Sequence, residues 1–321
     1  MTTLAISGIR RRILSAHVTV TGCALALCTS AAAPAAAADV DTTAAKPTIV
    51  LVHGAFADGS SWDGVIERLE RRGYTVVAPA NPLRGLYNDS TYIASVLDSI
   101  KGPVVLAGHS YGGAVISTAA AGNPRVKSLV YISALMPDVG ESGMSLAARF
   151  PSELGTATNS VPYRETGRSG TDLYLKPDKV HPVFAACLPA SQANLLGVTQ
   201  RPAATTAFSE KAKVAAWKTI PSWALVGRQD KTINPDQERF QAKRAGSHTV
   251  EINSCHVSLI AHPDAVADLI LQAAGSPSAQ PPLALATTGS TDNVRAEAGI
   301  AGAALLAGAG AVLLGRRMRR R

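Results

Sequence analysis

Short, unbroken apolar runs alternate along this chain with stretches in which apolar residues recur at helical spacing. Pro47 to Val52, reading PTIVLV, is unbroken and predicts a buried strand. Trp62, Val65, Ile66 and Leu69 recur at helical spacing behind a Ser60 or Ser61 cap and stop at Gly73. Tyr74 to Ala78 predicts another strand, Asn81 to Asn88 a loop, and Ser90 to Ile100 a second helix. Val104 to Ala107 is a third strand, a helix follows from Ala114, and Val126 to Leu135 is the next strand. Between Met136 and about Ala215 the pattern breaks into Gly-, Pro- and Ser-rich loops with short helical pieces. It resumes with a strand over Ile220–Val226, a helix over Pro235–Ala245, a last strand over His248–Ile252 and a closing helix over Pro263–Ala274. Strand–helix alternation of this kind predicts an α/β fold, a mostly parallel sheet covered by helices on both faces. The irregular stretch 136–215 is then an insertion, expected to cap the sheet.

Composition narrows this little. The chain is 46% hydrophobic and 17% charged, enough apolar material for a sizeable core. Its formal charge of +8 suggests nucleic acid until the charges are located. Arg10, Arg11 and Arg12 lie at one end, and Arg295, Arg316, Arg317, Arg319, Arg320 and Arg321 at the other, leaving the body nearly neutral. No basic patch remains for a nucleic-acid partner.

The most informative stretch is Gly108-His109-Ser110-Tyr111-Gly112-Gly113, set between a strand and a helix. That is the context of the G-x-S-x-G turn, in which a serine hydroxyl stands clear of the backbone with a helix N-terminus behind it. Gly108 and Gly112 leave room for the tight turn, and Ser110 is the candidate nucleophile. A serine needs a base to take its proton, and the base needs an orienting acid. Chain order predicts the acid after a late strand and the histidine after the last one, which selects Asp230 and His256. Asp138 competes for the acid's place, whereas His53, His109, His181, His248 and His262 read as structural. Glu141, Asp236 and Glu238 read as solvated charges. Two backbone N–H groups are needed to receive developing oxyanion charge. One is Tyr111, and the other lies in His53-Gly54-Ala55-Phe56, with Ala55 first and Phe56 second. No metal-ligand cluster, phosphate loop or G-x-G-x-x-G fingerprint occurs, so neither metal nor cofactor is expected.

Both ends read as addresses. Residues 1–38 carry a basic patch, an apolar stretch from Ile13 to Cys28 and the run Ala35-Ala36-Ala37-Ala38, the three regions of a secretory signal. At the other end a linker, Ser276 to Leu283, precedes Leu285-Ala286-Thr287-Thr288-Gly289. A polar spacer, an apolar run from Ala298 to Gly315 and an arginine-rich end follow. This tail resembles a sortase signal of the LAxTG type used by high-GC Gram-positive bacteria. By that resemblance a sortase cuts between Thr288 and Gly289 and joins Thr288 to peptidoglycan, the apolar helix holding the chain in the membrane beforehand. A plain tail anchor is the alternative. Cys23 and Cys28 leave with the signal, and Cys187 and Cys255 remain without sequence alone showing whether they meet. Cys255 does not act with adjacent His256 as a nucleophile pair, because neighbours on an extended chain point to opposite sides.

Residues 47–275 of the expected 39–275 domain, with VLVHGAFADGSSW, PVVLAGHSYGG and the Ser254-Cys255-His256-Val257 turn, resemble the α/β-hydrolase superfamily, and within it a compact bacterial group similar to the plant methyl-esterase and hydroxynitrile-lyase branch. The resemblance implies the triad Ser110, Asp230 and His256 and the oxyanion donors Ala55 and Tyr111. It also makes Cys187 and Cys255 a joint departure from the family pattern, which implies that they pair and tie the cap to the histidine loop. The implied activity is hydrolysis of small or medium carboxylic esters. Phe56, Phe150 and Phe184 are candidate substrate contacts, with Tyr163, Tyr174 and Leu188 as further walls or mere cap core. The alternatives are lyase or perhydrolase chemistry on the same fold, for which Lys176 and Lys179 offer cap cations, or a non-catalytic surface binding module.

Overall fold

The computed structural model describes residues 46–275. The expected signal, 1–38, and the expected linker, sorting motif, membrane helix and arginine-rich tail, 276–321, lie outside the described residues. Among the described residues no helix is long and apolar enough to cross a membrane.

The apolar runs become strands of one sheet. In chain order the first half is β1 (Thr48–Val52), α1 (Asp63–Arg71), β2 (Val76–Val77), α2 (Leu86–Ser99), β3 (Val104–His109), α3 (Tyr111–Ala119) and β4 (Val126–Ile132). After an insertion come β8 (Ser222–Gly227), α8 (Pro235–Ala245), β9 (His248–Ile252), α9 (Ser258–Ala261) and α10 (Pro263–Ala273). The six strands lie in the order β2-β1-β3-β4-β8-β9, and every neighbouring pair is parallel. Every residue of β3, and all but Thr48 of β1, is buried, as strands covered on both faces require. Helix α1 packs with α10 and α2 with α3.

The second helix starts earlier than the sequence pattern predicts. Asp89 Oδ1 accepts the Arg84 N–H at 3.0 Å, folding the end of the expected Asn81–Asn88 loop into the first turn of α2.

The insertion departs further from expectation. Between β4 and β8 it holds α4 (Gly143–Arg149), β5 (Thr158–Glu165), β6 (Arg168–Leu175), α5 (Pro177–Lys179), α6 (Ala190–Thr199), β7 (Ala203–Ala204) and α7 (Thr205–Ser209). Strands β5, β6 and β7 form a second, antiparallel sheet. Pro162 sits inside β5, which pairs only with β6 and is therefore an edge strand. An edge tolerates the missing N–H.

Candidate active site

Ser110 closes β3 and opens α3 with φ 53° and ψ −125°, a left-handed conformation that a non-glycine residue adopts only when its surroundings force it. The surroundings do so. Ser110 N–H donates to Ile132 O at 3.2 Å, and Ser110 O accepts from Gly113 N and Leu135 N, both at 3.0 Å. The flanking glycines leave the space. A Cβ on Gly108 would stand 2.6 Å from the Gly112 carbonyl, and one on Gly54 would stand 2.7 Å from Ser110 Cβ. The sequence pattern points to Gly108 and Gly112; the need for glycine at position 54 appears only once β1 lies beside β3.

The acid and the base meet behind it. His256 is wholly buried, Asp230 is 4% exposed, and His256 Nδ1 donates to Asp230 Oδ2 at 2.6 Å. Asp230 Oδ1 accepts the N–H groups of Thr232 (2.7 Å) and Ile233 (2.9 Å). Three donors thus converge on this carboxylate and fix its orientation. His256 Nε2 is buried with no hydrogen-bond partner among the described residues, so this nitrogen is left over for a proton from elsewhere. The competing acid, Asp138, pairs instead with Lys218 at 2.5 Å and is held below the usual carboxylate range against the opposing pull of burial.

Two other histidines frame the site. His109 donates from Nε2 to His256 O at 3.1 Å, and its ring lies tilted against the His256 ring with centroids 4.8 Å apart. Burial, with the neighbouring His256 ring, pushes its pKa well below the ordinary value. His53 donates from Nδ1 to Gly54 O at 2.9 Å and accepts Asn81 N–H on Nε2 at 2.9 Å. Burial lowers its pKa to about 4. Both rings are neutral struts, His53 under the loop after β1 and His109 under His256.

That loop settles which of its N–H groups is free. Phe56 N–H donates to the Arg201 carbonyl of the insertion at 3.1 Å. The Ala55 and Tyr111 N–H groups have no such partner among the described residues. Tyr111 also carries an unforeseen support: its hydroxyl donates to buried Asp89 at 2.8 Å.

A cavity of about 490 Å³ opens onto Ser110. Ala55, Phe56, Leu135, Met144, Leu173, Phe208 and Ile233 supply much of its apolar lining, with Gln237 among its polar groups; none of its lining residues is charged. Of the three aromatic candidates, Phe56 lines it. Phe184 does not; it is buried 5.2 Å from the His256 ring and 6.2 Å from Phe56. Phe150 is a correction: α4 turns Met144 and Ala147 to the cavity while Phe150 stacks on Phe240 at 5.3 Å. Tyr163 stands under the Arg84 guanidinium at the insertion's edge. Lys176 donates to Thr156 O and Lys179 pairs with Asp178, neither of them in the cavity lining.

Cys187 and Cys255 are bonded, Cα to Cα 5.4 Å, joining the insertion to the residue beside His256. Of the three acids expected to be solvated, Asp236 is exposed, Glu141 is clamped by Arg244 at 2.8 Å, and Glu238 is a correction at 4% exposed. No group of His, Cys, Asp and Glu side chains able to hold a metal occurs among the described residues.

The alpha/beta hydrolase family model matches residues 49–269. Salicylic acid-binding protein 2 of Nicotiana tabacum is 27% identical over 252 residues, covering 70% of this chain and 96% of that protein. A carbendazim hydrolyzing esterase of Nocardioides sp. is 36% identical over 110 residues, 30% of this chain and 46% of that protein. Among solved structures, polyneuridine aldehyde esterase shares the fold with a TM-score of 0.62 at 21% identity, covering 71% of this chain and 98% of that one.

Proposed function

The chain belongs to the alpha/beta hydrolase family, and from that premise we propose that it is a serine hydrolase of neutral, small or medium carboxylic esters. The observation that carries the reading is a strained Ser110 opening onto an apolar cavity, together with a buried Asp230–His256 pair whose Nε2 has no partner of its own. Ser110 Oγ attacks the ester carbonyl while His256 Nε2 takes its proton. The oxyanion is received by the Ala55 and Tyr111 N–H groups, each donor contributing roughly 3 kcal/mol to lowering the barrier. His256 then protonates the departing alcohol, and water repeats the cycle on the acyl-enzyme, releasing the acid and restoring Ser110. Asp230 holds the tautomer and balances the imidazolium. The relative whose printed name is an esterase supports the ester bond as target. The uncharged lining supports a neutral substrate.

The reading includes export and surface attachment, which rest on the sequence alone. Residues 1–38 direct secretion, 39–275 are the catalytic domain with a cap over about 136–215, and a sortase joins Thr288 to peptidoglycan with loss of Gly289 onward. The Cys187–Cys255 bond supports an oxidising compartment.

The test is labelling with a fluorophosphonate, located by peptide mass spectrometry, alongside hydrolysis of p-nitrophenyl butyrate and of an anionic p-nitrophenyl succinate monoester. Labelling at Ser110, loss of hydrolysis in Ser110→Ala and preference for the neutral ester are expected. Hydrolysis that survives Ser110→Ala overturns the mechanism.

A further inference from the structure

Helix α8 buries a polar side, on which Gln237, Glu238 and Gln241 all face inward. Two of the three are engaged by the protein. Gln241 Oε1 accepts the Met136 N–H at 2.7 Å and its Nε2 donates to Ala134 O at 3.4 Å. Glu238 Oε2 accepts the Gly227 N–H at 3.1 Å. Gln237 is only 2% exposed, yet its side-chain amide makes no hydrogen bond among the described residues, and it lines the cavity that opens onto Ser110. The helix end does not use it either. Gln237 is the third residue of α8, where a glutamine can reach back to the N-cap N–H. Asn234 closes this cap by itself, its Oδ1 accepting the Asp236 N–H at 2.9 Å.

The other polar side chains of the cavity differ from it. Ser152 Oγ donates to Thr232 O at 2.8 Å and Thr232 Oγ1 to Val183 O at 3.0 Å, so both hydroxyls are spent on carbonyls. Thr158, Ser160 and Thr205 are less buried and open to water. Gln237 instead shares its wall with Leu135, Phe208 and Ile233, which offer an amide nothing to bond. A buried amide in that position is costly unless something that enters the cavity pairs with it.

We propose that Gln237 is a specificity-determining residue that binds a neutral hydrogen-bonding group of the substrate, a hydroxyl above all, carried away from the scissile carbonyl. This rests on the reading of Ser110, Asp230 and His256 as a catalytic triad, in which the scissile carbonyl is received by Ala55 and Tyr111. A primary amide offers Oε1 to an O–H and Nε2–H to an oxygen lone pair, so a hydroxyl can use either end. A carboxylate is a poor occupant, because no cation lines the cavity. Selection is sharp in such a site, since an analogue that lacks the polar group strands the buried amide. The substrate class narrows accordingly, from neutral esters to neutral esters bearing a second polar group.

The experiment compares methyl 3-phenylpropanoates carrying a hydroxyl at ring position 2, 3 or 4 with their ring-methyl counterparts, in wild type, Q237M and Q237L at neutral pH. The matching 3-phenylpropyl acetates probe the alcohol half in the same way. Wild type is expected to favour at least one hydroxyl ester over its methyl counterpart by about tenfold in kcat/KM, the scale of one buried hydrogen bond. Both variants should erase that preference, chiefly by losing the hydroxyl ester. They should also melt no lower than wild type, because they remove an amide that has no partner in the protein. The proposal is overturned if wild type shows no preference in any pair, or if the preference survives both substitutions. A lowered melting temperature with equal loss on both members of each pair also overturns it, by marking a structural role. Failure of the triad reading is separate: it shows as hydrolysis of these esters surviving Ser110→Ala, whatever the hydroxyl-to-methyl ratio does.

Discussion

Breaking the Cys187–Cys255 bond should cost the protein much stability and little chemistry. The two cysteines are 68 residues apart in sequence, so the bond removes a long loop's closure entropy from the unfolded chain. For a closed loop of that length the loss is worth about 4 kcal/mol at 25 °C. In a domain of this size that lowers the melting temperature by roughly 8–16 °C. Cys187 is exposed while Cys255 is buried, so reductant reaches the bond in the folded protein. Phe184, His256 and Asp230 have ring packing and a hydrogen bond that do not involve the sulfurs, so the site is expected to survive the loss of the bond. The assay is thermal unfolding of wild type with and without dithiothreitol and of the double variant Cys187→Ala, Cys255→Ala, with initial rates on p-nitrophenyl butyrate at 25 °C. Reduced wild type and double variant should melt together, well below oxidised wild type, with rates within a few-fold of it. An unchanged melting temperature refutes the entropic reasoning. A collapse of the rate at 25 °C in protein that is still folded refutes it differently, by showing that the bond shapes the native site.

Two further outcomes follow from the geometry. Gly108→Ala drives a Cβ to 2.6 Å from the Gly112 carbonyl, so the turn must open, and a displacement of about 1 Å at the nucleophile costs on the order of 100-fold in kcat/KM; wild-type kinetics and full fluorophosphonate labelling of this variant would contradict the account of the turn. His53 has a folded pKa of about 4 against an ordinary 6.5, so between those values the unfolded chain takes a proton the folded one refuses; stability is unaffected above pH 6.5 and falls by about 1.4 kcal/mol per pH unit below it. Urea midpoints from pH 7 to 4.5 check this, with a shallower decline expected in His53→Gln.

The sheet and the turn at Ser110 were legible because they are local. An unbroken apolar run, a glycine cluster and a helical period report their own surroundings, and the alternation of strand and helix dictates the parallel order. The insertion was not legible for the opposite reason. Pro162 lies inside β5 and Gly170 inside β6, and both residues argue against a strand until the edge position of β5 excuses the proline and the Tyr163 ring, which a Cβ at 170 would meet at 2.8 Å, accounts for the glycine. Phe150 and Phe208 have the same chemistry, and only the direction in which α4 and α7 dock sends one to Phe240 and the other to the cavity. Glu238 was misread because α8 buries amides and a carboxyl where a helix ordinarily buries carbon. Polarity marks solvent in sequence; here it marks side chains that receive buried backbone N–H groups, Gly227 on Glu238 and Met136 on Gln241. That Phe56 rather than Ala55 has its N–H engaged turns on one carbonyl, that of Arg201, far away along the chain.

The uncharged cavity lining bears on turnover as well as entry. A neutral ester leaves water for this pocket at little electrostatic expense. Hydrolysis then creates an acid that ionises at neutral pH in a chamber whose lining offers it no cation. A bare carboxylate in apolar surroundings is strongly disfavoured, so the chemistry itself expels its product. The enzyme should therefore run to completion without accumulating the acid it makes, and the free acid should be a poor inhibitor even where its ester is a good substrate.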